Sequence, residues 1–157
     1  MITDTDELAE LFSVLHDGVV LDARAVGEDL VLSVEITYLA ERVATGFSTF
    51  FIRLHEVRDL AFSTWPKAAS AAPETLHDVT AIFVPPVDIL SGDARGDIID
   101  VVCNQPSSLT SHCGGTLSFR AKSAEVTDQS GERYSFAQLA AIADAYWKEW
   151  SVRSRVE

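Results

Sequence analysis

The sequence predicts an α+β fold: a mainly antiparallel sheet of about five to seven strands, with N-terminal and C-terminal helices packed on one face. Two observations carry that expectation. Short apolar runs alternate with period two and follow one another as hairpins, with no regular helices between them. The segment Thr116 to Trp150 then reads as an alternating strand, a turn and a doubly capped amphipathic helix. At 157 residues the chain fits one domain, 1–157, large enough to bury a core without disulfide or metal support.

Taken in order, Thr3 to Leu15 sets hydroxyl and acidic residues ahead of Leu8, Leu11, Phe12 and Leu15, which is helix spacing with negative charge at the positive end of the dipole. His16-Asp17-Gly18 reads as its stop, with Gly18 as the left-handed residue. Val19 to Ala25 and Leu30 to Tyr38 alternate on either side of Val26-Gly-Glu-Asp29. A two-residue turn at Gly27-Glu28 sets a register by counting outward: Ala25 faces Leu30, Ala23 faces Leu32, Leu21 faces Val34 and Val19 faces Ile36. A one-residue slip would turn every core side chain outward, so the pattern specifies this hairpin strongly.

Ala40 to Gly46 reads as a loop, Phe47 to Leu54 as a third strand and Val57 to Trp65 as a fourth, stopped by Pro66. Lys67 to Glu74 reads as a loop or short helix. Leu76 to Val84 fits helix or strand until Pro85-Pro86 ends it. Asp88 to Asp97, punctuated by Gly92 and Gly96, reads as a loop, and Ile98 to Cys103 as a short buried strand. After a polar loop from Asn104 to Gly115, Thr116 to Val126 forms a strand with Leu117, Phe119 and Ala121 on one side. Asp128-Gln-Ser-Gly131 turns into a last extended piece. In Tyr134-Ser-Phe-Ala-Gln-Leu139, Ser135 and Gln138 make a reciprocal capping box, and Tyr134 can staple onto Leu139. Leu139, Ile142, Ala143, Tyr146, Trp147 and Trp150 then lay down an apolar stripe.

The formal charge is −12, and it is unevenly placed: the first 41 residues carry ten acids against Arg24 alone, a net of −9, and the remainder nets −3. That sign disfavours DNA or RNA, whose affinity comes from Lys and Arg displacing counterions. It favours encounter with a basic protein partner. The start of the chain is acidic where a secretory signal would be basic and then apolar. No apolar run approaches the ~18 residues of a membrane span, so a soluble cytoplasmic protein without membrane contact is expected.

Three histidines share one pattern, Leu15-His16-Asp17, Leu54-His55-Glu56 and Leu76-His77-Asp78, and imidazoles with carboxylates are common zinc or iron ligands. Adjacent strand residues face opposite ways, however, so an acid directly after a histidine does not orient it. Cys103, His112 and Cys113 form a second set, with His77 or Asp100 as a fourth zinc ligand. The same residues also fit a disulfide across the Asn104 to His112 loop, a Cys113 nucleophile beside Gly114-Gly115, or two ordinary thiols. No spacing matches a metal, phosphate or catalytic motif, so no catalytic, cofactor or metal residue is assigned and no cofactor is expected.

The run Leu15-His-Asp-Gly-Val-Val20, then Gly27-Glu-Asp-Leu-Val-Leu-Ser-Val-Glu-Ile36, then Phe50 to Phe62 ending in Val57-x-x-Leu60-x-Phe62, resembles small uncharacterised bacterial α+β families. In these a Phe/Leu-His-Asp segment precedes an antiparallel sheet, and some are grouped with immunity proteins of bacterial toxin systems. The resemblance covers about the first 65 residues. It implies an α+β domain and transfers no functional residue. The functional expectation is a non-enzymatic binding or interaction protein, immunity-like, offering its acidic first helix and first hairpin to a basic protein partner. Alternatives are a metal- or cysteine-dependent enzyme using His55, His77, Cys103, His112 and Cys113, and a small-ligand carrier with a pocket between helix and sheet. An edge at Phe47 to Leu54 offers a route to a homodimer.

Overall fold

The computed structural model describes residues 1–156. One antiparallel sheet organises the chain, joined by helices at both ends, as the alternating runs predicted. It contains ten strands rather than five to seven: β1 (Val19–Val26), β2 (Asp29–Glu35), β3 (Thr49–His55), β4 (Arg58–Pro66), β5 (Thr75–Leu76), β6 (Val87–Arg95), β7 (Ile98–Asn104), β8 (His112–Arg120), β9 (Ser123–Thr127) and β10 (Arg133–Tyr134). The helices are α1 (Thr5–Val14), α2 (Thr37–Ala40), α3 (Val79–Phe83) and α4 (Phe136–Val156).

The hydrogen-bonded order is β10-β9-β3-β2-β1-β6-β7-β8-β4-β5. Two of its pairs are one object. Phe51 faces Thr127, His55 faces Ser123 and Arg58 faces Arg120 in a single register, and the Lys122 N–H donates to the His55 carbonyl at 2.9 Å across the bend. Thus β3–β4 and β8–β9 form one long bent ribbon. One half pairs with β2 and β10, the other with β7 and β5. The circuit of pairing therefore returns to the same two strands, and the sheet is rolled. It follows that Thr116 to Val126 is two strands around a bend, and that His112 to Gly115 belongs to β8 rather than to a loop.

Inside the roll, Leu8, Leu11, Phe12 and Leu15 are buried, with Phe12 set edge-on to Phe119 at 5.9 Å. Each such side chain contributes about 1.5–3 kcal/mol on leaving water. Asp4 caps α1, accepting from the Glu7 N–H at 3.0 Å. The helix lies against β6 and β7, while α4 packs chiefly on α1 and α2. Its approach explains the largest miss of the sequence reading. Asp88 to Asp97 is not a loop: it lies within β6 and the turn after it, and Gly92 is needed because a Cβ there would sit 2.2 Å from the Ala9 carbonyl oxygen. Ser13 closes the same contact, its hydroxyl donating to the Gly92 carbonyl at 3.1 Å and accepting from the Gly92 N–H at 3.0 Å.

The first hairpin keeps the expected register near its turn, with Ala25 facing Leu30 and Ala23 facing Leu32. It then departs. A bulge at Leu21 places Val20 opposite Val34 and Val19 opposite Glu35, so Val20 is buried and Leu21 exposed. The cause lies outside the hairpin, in the pairing of Val19 and Val20 with Asp88 and Val87 of β6. The second run ends at Glu35, and α2 follows it. At the end of α1 the left-handed residue is Asp17, at φ 67°; Gly18 is present because a Cβ would lie 2.8 Å from the Leu15 carbonyl and from Val34. Leu76 to Val84 divides into the last residue of β5 and α3, the latter capped by Asp78. Phe47 to Leu54 is no edge, because β3 lies between β2 and β9.

Candidate functional site

Acids and aromatics meet where α1 crosses α4. Burying Leu8, Ala9, Leu11 and Phe12 leaves Asp6, Glu7 and Glu10 on the solvent side of α1. On α4 the capping box forms as read, the Gln138 N–H donating to Ser135 Oγ at 3.1 Å and the Ser135 N–H to Gln138 Oε1 at 2.7 Å. That start fixes the helix phase, so Leu139 and Ala143 face inward and Asp144 stays exposed. Between the helices runs a groove of about 230 Å³, with Glu10, Ser13 and His16 on one wall and Ala140, Asp144 and Trp147 on the other. It is smaller than a drug-sized pocket and suits one long side chain.

Through Trp147 the groove adjoins an aromatic cluster. Trp147 stacks on His16 at 5.1 Å, and Tyr38, Tyr146 and Trp150 meet it edge-on at 5.0–5.8 Å. His16 Nδ1 lies 2.7 Å from the Ser13 carbonyl, so Nδ1 carries a proton. The Tyr38 hydroxyl donates to the His16 carbonyl at 2.8 Å; burial, then the nearby Asp17 charge, raises the pKa of that phenol. Trp147 Nε1 is shielded and has no hydrogen-bond partner among the described residues. None of Asp6, Glu7, Glu10, Asp17 and Asp144 has a cationic side chain within 4 Å among the described residues, whereas Arg42, Arg53, Arg95, Arg120, Lys122 and Arg133 are each held by a carboxylate elsewhere.

The histidines and cysteines singled out in the sequence are not brought together. His77 is exposed, its Nδ1 against the Leu60 carbonyl. His55 is oriented by acids distant in sequence: Nδ1 is 3.2 Å from Asp29, and Nε2 is 3.3 Å from Glu125 without the alignment of a hydrogen bond. The Glu56 N–H and then Arg53 hold the Asp29 carboxyl below its usual range. Cys103 is buried on β7, which pushes its thiol up to about 12, with Asp88 adding to the rise. Cys113 is exposed, and Asp100 is tied to Arg95 and Ser118.

His112 is buried and takes a different part. Gln105, with no exposed surface, donates its amide to the carbonyls of Ile82 (2.9 Å) and Pro85 (2.6 Å), which leaves its oxygen to accept from His112 Nε2 at 2.6 Å. The tautomer is thereby set, and burial lowers the His112 pKa against the opposing pull of Glu74. Among the described residues no group of three or more His, Cys, Asp or Glu side chains is placed to hold a metal ion.

A larger cleft of about 430 Å³ lies at the ribbon's bend, lined by Thr5, Glu56, Arg58, Asp97, Arg120 and Lys122. Its cations are largely engaged, Lys122 with Glu56 and Arg120 with Asp97 and Asp59, so it holds no concentrated charge of either sign. No helix is long and apolar enough to cross a membrane among the described residues. No family model, curated protein or solved structure matches the chain.

Proposed function

We propose that this protein is a non-enzymatic, cytoplasmic binding protein that receives a basic protein partner on the acidic face of α1 and α4, with the first hairpin adding to the same field. The observation that carries this reading is the set of carboxylates without cations, Asp6, Glu7 and Glu10 on one helix and Asp144 on the next, of which Glu10 and Asp144 line a groove with Trp147. An arginine or lysine lodged there would find the carboxylates of Glu10 and Asp144 and would lie beside the Trp147 ring. An immunity-like role is the narrower form of the proposal, in which the basic partner is a toxin.

The test measures binding of an oligolysine peptide, and then of a panel of basic proteins, by calorimetry and by tryptophan emission. Affinity should fall at least about tenfold between roughly 50 and 300 mM salt, because the attraction acts over a Debye length. Glu10→Lys with Asp144→Lys should abolish it. Binding indifferent to salt and to both reversals, or no binding to any basic probe, would remove the support.

A further inference from the structure

We infer that the groove on the solvent face of β1, β2, β3 and β9 binds a small planar carboxylate, its charge on Arg24 and its ring against Phe51. These strands bury one face: Leu30, Leu32 and Val34 of β2, Phe50, Ile52 and Leu54 of β3, and Ala124 and Val126 of β9 are all in the core. The alternate residues are thereby turned outward. Arg24, Val31, Arg53 and Glu125 lie opposite one another in a single row across the four strands, and Ser33, Phe51 and Thr127 belong to the next row. Six of these residues, Arg24, Val31, Phe51, Arg53, Glu125 and Thr127, line a groove of about 220 Å³. That space holds one ring and a substituent rather than a drug-sized molecule.

The chemistry of the lining selects the occupant. Phe51 is an aromatic ring at a solvent-face position where alternation calls for a polar residue, with Val31 diagonal to it. It is half-buried, and among the described residues no second ring packs on it and no cation lies over it. The charges are unequal in their freedom. Arg53 is engaged by Asp29, with both Nε and Nη2 at 2.8 Å. Glu125 is met by Arg133 at 3.2 Å and by His55 at 3.3 Å. Arg24 is half-buried, yet among the described residues it has no carboxylate within 4 Å and no side-chain hydrogen bond. Asp22, two positions along the same strand, lies in the neighbouring row opposite Ser33.

The charge left over within the groove is therefore a single guanidinium beside an apolar ring. A carboxylate can accept two hydrogen bonds from that fork, and a flat body attached to it can stack on or stand edge-on to Phe51. A cationic ligand would find its one carboxylate, Glu125, already engaged. The formal charge of −12 on the whole chain repels anions at long range, so binding is weak and depends on the local contacts. None of the lining residues belongs to the groove between α1 and α4, and the two sites stand or fall separately.

The test titrates sodium benzoate into the isotope-labelled full chain and follows its backbone amide and arginine side-chain resonances. Saturable shifts should be confined to the neighbourhood of Arg24, Val31, Phe51 and Thr127, with an affinity in the millimolar range. Acetate keeps the charge without the ring, and benzamide keeps the ring without the charge; each should bind at least about tenfold more weakly. Arg24→Gln should erase the preference for benzoate over benzamide, and Phe51→Thr the preference over acetate. Both side chains lie outside the core, and unchanged resonances elsewhere show each variant to be folded. If a variant misfolds, the three probes on the unaltered chain still decide. Shifts that do not saturate or that spread equally to arginines elsewhere, such as Arg58, would overturn the proposal. So would acetate or benzamide binding as tightly as benzoate, or an affinity for benzoate unchanged in folded Arg24→Gln.

Discussion

The turn at Asp128 and the clamp at Gln105 are both buried polar centres, yet they are held in opposite ways. Asp128 is 3% exposed and accepts from the Ser130 N–H, the Ser130 hydroxyl, the Glu132 N–H and the Tyr134 hydroxyl, all within six residues. Gln105 joins His112, seven residues away, to Ile82 and Pro85, 23 and 20 positions back. The first centre can assemble as soon as its own segment bends. The second exists only once three parts of the chain have been gathered, so its hydrogen bonds report on the whole body rather than on one turn.

Replacing the amide should therefore cost most. Gln105→Ala leaves two carbonyls and an imidazole unpaired in a largely buried site, and a loss of about 3 kcal/mol is expected. Native-state hydrogen exchange should show lost protection spreading over α3, the start of β6 and the start of β8. If protection falls only beside residue 105, the contrast with the local turn disappears.

Asp128→Ala should cost less, about 2 kcal/mol, because Ser130 and Glu132 lie at the surface and water can take up part of what the carboxylate held. Exchange should quicken from Thr127 to Ser135 and little elsewhere. The same carboxyl contributes to acid sensitivity. Burial opposes its ionisation, but hydrogen bonds from Ser130, Tyr134 and Glu132 outweigh that and hold it below the ordinary value of 3.8. Its contribution is thus present above that value and is lost as pH falls through the folded-state pKa.

The smallest expected effect is the one on pH near neutrality. His112 has its folded pKa depressed below 6.5, so the unfolded chain binds the proton more readily. Its contribution is complete above pH 6.5 and is lost as pH falls toward the folded-state value. Urea midpoints measured from pH 8 to pH 5 should decline, and His112→Gln should flatten that decline. A wild-type midpoint constant over this range would break the assignment.

The same division decides what could be read from residues alone. The capping box at Ser135 and Gln138 and the turn at Gly27-Glu28 each depend on neighbours in sequence, and each was legible. The bulge at Leu21 was not, because β6 imposes it from more than sixty residues away. Gly92 looked like loop punctuation, although it is a strand glycine making room for a helix backbone. Strand alternation already denied His55 an orienting Glu56, but nothing local showed that its carboxylates come from Asp29 and Glu125. The acidity of α1 was plain in the sequence. That Glu10 faces Asp144 and Trp147 across a groove depends on how α4 crosses α1, and no local spacing encodes that crossing.

The ribbon made by β3–β4 and β8–β9 has a consequence for how the chain reaches its folded state. Each of its strands serves as scaffold for both halves of the sheet, so no cut along the sequence separates one half with its pairing intact. Hydrophobic collapse around β1–β3 alone leaves the partner of β3 still to be delivered from beyond residue 120. The loop-closure cost falls before the reward, which is the circumstance of slow, high-contact-order folding and of a single concerted transition rather than assembly by parts.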